Sequence, residues 1–197
     1  MSKKLRQEPI YIAPGIFGWL DNNYTPHVLD EVSTNELDPY NVNHKILIYE
    51  RQVKEWFLNP ATTLSHQKNK GFIVLMICLS YIEGIEQYRQ GLSSNGQSSA
   101  FFVSSLQRIY PDRFTDVQLR SLYKQARCGL FHNGMVEEKM IINNSFHHSI
   151  EFIGNTDVKV SPSKLLRDIK NDFEAYLLEL NNNQQSRHRF DQMYSNV

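Results

Sequence analysis

The stretch from Gly71 to Arg89 constrains this chain more than any other. Its first part, Gly71 to Ile82, is apolar and uncharged, and Phe72, Leu75, Met76, Leu79, Ile82 and Ile85 recur at three to four residues. That spacing is helical. A helix apolar around so much of its circumference has to be enclosed by other elements, so it is expected to be the central helix of a bundle. The uncharged run is well short of the roughly 20 residues of a helical membrane span, and no membrane segment is expected.

The remaining pattern is mostly helical. Ile46, Tyr49, Val53 and Trp56 predict a helix over about 44–58, ended by Asn59-Pro60. A helix over about 98–109 stops at Tyr110-Pro111. Thr115 with Gln118 three residues on is a capping-box pattern that opens a helix running to His132 or Asn133, with Gly134 as a left-handed cap. Residues 139–142, 150–153 and 158–160 are short and rich in β-branched residues, which predicts a small hairpin or meander. Ser161-Pro162 then opens a last helix to about Leu180. The expected fold is therefore all-α: four to five helices with a small β-hairpin insertion before the last. Residues 1–43, closely punctuated by proline and glycine, read as an irregular N-terminal arm with one helical turn near Pro26. Residues 44–181 form the helical domain, and 182–197 a polar tail that frays.

At 197 residues the chain is one domain's worth. With 21 Lys+Arg against 21 Asp+Glu it is not a globally basic nucleic-acid coat protein. Two cysteines, Cys78 and Cys128, cannot build a disulfide framework and fit a reducing compartment. The basic N-terminus has no apolar run behind it, so no secretory signal is read and a cytoplasmic protein is expected.

The chemistry concentrates in residues 119–134. On a helical wheel Leu119, Leu122, Tyr123, Ala126 and Leu130 form a core face. Arg120, Lys124, Arg127, Cys128, Phe131 and His132 lie opposite, and Phe131 there points to an interface. The segment 108–127 holds five basic and two acidic residues on a chain of zero net charge. Arg127 and His132 are five apart and diverge by about 140° on an α-helix, so two copies packed across this face would bring them together best.

The block Arg127-Cys128-Gly129-Leu130-Phe131-His132, an Arg-x4-His motif at the end of a bundle helix, resembles the HEPN superfamily. The resemblance spans roughly residues 43–181, and its sharp part is this block. It implies an all-α bundle that dimerises through the motif face. It also implies a metal-independent endoribonuclease of the toxin–antitoxin or phage-defence kind, with an antitoxin or other protein as partner. Arg127 and His132 would then be the catalytic pair. Many active members carry a polar residue after the arginine, where this chain has Cys128.

The pair suits RNA cleavage chemically. Histidine titrates near neutral pH and can take the 2′-hydroxyl proton. The guanidinium fork answers the charge that grows on the phosphoryl oxygens. Arg120, Lys124 and Asn133 would hold substrate, and Phe131 would lie in the dimer interface. Glu83 or Glu86 either orients Arg127 or ends a solvated helix. No cofactor and no metal are expected: there is no CxxC or HxxxH, and Cys128 with His132 supplies too few ligands for zinc. The alternative reading is a non-catalytic module of the same kind that binds RNA, a nucleotide or a protein partner.

Overall fold

Pro14-Gly15 is a tight turn, with Gly15 at φ +66°, and it joins two strands rather than interrupting an irregular arm. The computed structural model describes residues 5–196, apart from the side chains of His132, Asn133 and Asn196. Its first elements are β1 (Ile10–Ala13), β2 (Ile16–Leu20), β3 (Pro26–Asp30) and β4 (Asn35–Glu36), paired in that order as an antiparallel meander. Ile12, Ile16 and Val28 point inward and are fully buried. Phe17 and Trp19 alternate to the outer face, where Trp19 stacks on His27 across the strand pair. The all-α expectation is therefore overturned, and so is the helical turn near Pro26. The fold is mixed, with one sheet before the helices and another among them.

Helix α1 (Val42–Val53) is capped by the Asn41 side chain. The chain does not stop at Pro60. A π-helical segment, Lys54–Leu58, intervenes, in which the Asn59 N–H bonds the Lys54 carbonyl five residues back. Pro60 then falls in the first turn of α2 (Asn59–Ser65), where its missing N–H costs nothing. Helix α3 (Gly71–Gln90) is the central element, packed on α4 (Ser98–Ile109) and on a long helix near the C-terminus. Among the described residues α3 alone is long and apolar enough to cross a membrane. Its Val74, Leu75, Cys78, Leu79, Ile82 and Ile85 are buried in the protein core.

Thr115 and Gln118 form both bonds of the capping box that opens α5 (Asp116–Leu122). The helix then changes into a second π-helical segment, Tyr123–Asn133, closed by Gly134 at φ +71°. Strands β5 (Met140–Ile142), β6 (Ile150–Ile153) and β7 (Asp157–Val160) follow. The predicted hairpin is only part of this sheet: β7 lies in the middle, antiparallel to β6 and parallel to β5.

Helix α6 (Pro162–Asn182) is not the last. Asn183 ends it, and its side chain accepts the Ser186 N–H that opens α7 (Gln184–Asn196). Phe190, Met193 and Tyr194, three and four residues apart, are buried under that polar sequence. Phe190 packs on Tyr49 and Tyr88, and Lys45 donates to Asp191 at 2.6 Å. The tail is thus part of the core rather than a frayed end.

Two expectations follow. Phe190→Ala removes a fully buried ring and should lower stability by about 3–5 kcal/mol in urea titrations. The second concerns Asp30, which ties the first sheet to α1 through a two-pronged pairing with Arg51 at 2.6 and 3.0 Å. Arg51 holds the Asp30 carboxyl down to about 2 from its ordinary 3.8. A carboxylate depressed in the folded state stabilises above its unfolded value and loses that contribution as pH falls through its folded value. Wild type should therefore lose stability between about pH 4 and pH 2, by about 2 kcal/mol from this group. Asp30→Asn should remove that part of the acid limb in pH-dependent denaturation.

Candidate functional site

The motif block sits in the π-helical segment, and this changes its geometry. In a helix closed by i→i+5 bonds, residues five apart stand about one turn apart on the same side. Backbone positions 127 and 132 are related in this way, whereas an α-helix would set them on diverging faces. The divergence expected from the sequence does not hold, and a single chain suffices to carry both positions on one side. The side chains of His132 and Asn133 lie outside the described residues.

Arg127 is positioned by three groups. Its Nε donates to Glu83 Oε2 of α3 at 2.9 Å, with both side chains largely covered. The guanidinium carbon lies 5.9 Å from the Tyr123 ring centre and 5.1 Å from that of Phe131, within cation–π range. The spacing Tyr123-x3-Arg127-x3-Phe131 stacks the three along one side. The clamp is an i, i+4, i+8 series in the sequence, and Tyr123 also packs against the core, on Phe102, as its place on the core face predicts. Phe131 is 43% exposed, Met135 59% and Val117 61%.

The two glutamates take different roles. Glu83 faces the π segment and pairs with Arg127. Glu86 does not reach Arg127. It is buried, accepts from Ser104 Oγ and Gln90 Nε2 at 2.9 Å each, and lies 3.5 Å from Arg108 Nε of α4.

The basic stripe is only partly open. Arg120 donates to Asp116 one turn earlier at 2.6 Å, which offsets its charge. Lys124 is exposed. Cys128 is a half-buried free thiol. Leu119, Leu122, Ala126 and Leu130 fill the core side.

Gly129 has a structural reason. A Cβ there would stand 2.7 Å from the Met135 carbonyl, because the chain folds back over the segment after Gly134. The Glu137 N–H to Gln125 carbonyl bond, 3.1 Å, holds that return. The Gln125 side chain donates to Ser121 Oγ and to the Thr156 carbonyl, joining the segment to the second sheet.

No family model, curated protein or solved structure matches this chain.

Removing one partner of the Glu83–Arg127 pair leaves the other partly buried and unanswered. Glu83→Ala should therefore cost about 1.5–3 kcal/mol, the range for hydrogen bonds to charged groups. Arg127→Ala made on top of it should cost much less than in wild type, and a double-mutant cycle by urea denaturation reads the coupling.

Proposed function

We propose that the chain is a metal-independent endoribonuclease of HEPN type, acting as a homodimer whose seam includes Phe131. The observation that carries this reading is the fixed arginine. Arg127 is clamped between two rings and held by Glu83 through Nε, one turn before backbone position 132. The reading rests on this block and on its chemistry, and not on an all-α fold.

In the proposed reaction His132 takes the proton of the ribose 2′-hydroxyl. The 2′-oxygen attacks the adjacent phosphorus, and the bond from phosphorus to the 5′-oxygen breaks. The departing 5′-oxygen is protonated, leaving a 2′,3′-cyclic phosphate. The Nη groups of Arg127 answer the charge that grows on the phosphoryl oxygens, while Glu83 occupies Nε. DNA lacks the nucleophile and is spared. Lys124 and, with Asp116 displaced, Arg120 would contact flanking phosphates. The site would lie in the cytoplasm, regulated by an antitoxin or another protein partner in a toxin–antitoxin or phage-defence setting.

A second reading, a non-catalytic module that binds RNA, nucleotide or protein, has one observation in its favour. Arg120 and Arg127 are both answered by carboxylates, so two charges of the stripe are already spent.

The deciding experiment is cleavage of a mixed RNA substrate in EDTA. Wild type should cut and leave 2′,3′-cyclic ends. Arg127→Ala and His132→Ala, matched to wild type in circular dichroism and oligomeric mass, should each be slower by about 100-fold or more. Variants that cut as fast as wild type would remove the site assignment. Wild type that binds RNA without cutting it would establish the second reading.

A further inference from the structure

A second polar site lies away from the motif block, between the C-terminal end of α4, the segment before β6 and the middle of α6. It is a cleft of about 520 Å³. Its floor is charged, and the two carboxylates there are paired within the fold. Asp172 accepts from Arg108 Nη1 and from Tyr81 Oη. Asp168 Oδ2 accepts the hydroxyls of Tyr110 and Ser149. Both floor acids are thus engaged by groups of the fold itself.

The rim differs. Arg113, Arg167, His147, His148 and Asn171 line it and are exposed. Arg113 Nη2 lies 3.0 Å from His148 Nδ1. A guanidinium only donates, so Nδ1 is the acceptor and the ring proton belongs on Nε2. Arg113 therefore spends its bond on an uncharged acceptor. Arg167 Nε lies 3.7 Å from Asp168 Oδ1, an ion pair beyond hydrogen-bond length. Among the described residues neither rim arginine has a hydrogen-bonded carboxylate.

Two guanidinium forks with unspent donors, an imidazole N–H and the Asn171 amide converge on one opening. Arginine forks match the oxygens of a phosphate group two at a time. The volume exceeds that of a bare phosphate and lies in the range of small-molecule sites, roughly 300–1,000 Å³. We propose that this cleft binds a phosphomonoester, its dianionic phosphate held between Arg113 and Arg167 on the rim, with the rest of the molecule lying over Tyr110 on the floor and beside the rim residue Asn171. The proposal does not depend on the ribonuclease reading, since it uses neither Arg127 nor His132.

The test is calorimetric titration of the full chain with inorganic phosphate and, separately, with adenosine 5′-monophosphate. Wild type should bind the nucleotide saturably. Tighter binding of the nucleotide than of phosphate identifies a phosphorylated small molecule as the ligand, and equal binding identifies the free ion, with the same two arginines at work. Arg113→Gln and Arg167→Gln should each weaken binding by about tenfold or more, the loss of one charge-assisted contact. Both side chains are exposed, so thermal melts should match wild type. Lys139→Gln, an exposed cation outside the cleft, should leave binding unchanged. Failure of both probes to bind saturably with a Kd of about 1 mM or tighter would overturn the proposal, as would equal affinity in wild type and both rim variants.

Discussion

The Asp172 carboxylate joins the three helices on which everything else is built. It takes a hydrogen bond from Tyr81 of α3 and one from Arg108 of α4, while itself belonging to α6. Arg108 also lies near Glu86, and Arg89 of α3 runs from Glu179 of α6 at 2.6 Å across the face of Tyr176. Charges with so little water around them are costly unless each is paired. The pairing exists only when α3, α4 and α6 stand in one register. Apolar contacts among these helices are larger in sum but not directional. A packing out of register would leave these charges buried and unpaired, which the ionic set penalises.

The π-helical segments are the second constraint. Each adds a residue to a turn, and each does so next to a feature an α-helix would not accommodate. At Lys54–Leu58 the wider turn leads into Pro60, which has no N–H to give to a helical bond and lies in the first turn of α2. At Tyr123–Asn133 it rotates the end of the helix so that Arg127 reaches Glu83, while Gly129 lets residues 135–137 lie directly against it. The core face survives the change up to Leu130, because the shift accumulates with distance from Leu122.

Much of this was legible in the sequence, and the misses have identifiable causes. The periodicity of 71–89 located α3, and Thr115 with Gln118 located the start of α5, because both signals are local. The first sheet is hidden in the sequence because Pro14 and Gly15 look like disruption, whereas they are the turn of a hairpin with Ile12, Ile16 and Val28 facing inward around it. Helix α7 was missed because the polarity of 181–197 outweighed three apolar residues at helical spacing. The partner of Glu86 was out of reach, since nothing local distinguishes Arg108 from Arg127 as the nearer guanidinium. The rim of the polar cleft draws on residues 113, 147, 148, 167 and 171, a set that only the parallel pairing of β5 with β7 and the return of α6 bring together.

Helix α3 links the two regions in one further way. Glu83 and Glu86 are three residues apart, and the first anchors Arg127 while the second lies against Arg108. Arg108 lines the cleft from inside, and Arg127 fixes the motif block from outside the core. Both guanidiniums are therefore referenced to the same turn of the central helix. Rigid elements hold side-chain geometry better than loops do, since buried helices open last. A displacement of that turn would loosen both arginines at once, whereas the rim residues Arg113 and His148 sit on connecting segments and are held by each other and by the rings of Tyr110, Phe114 and His147.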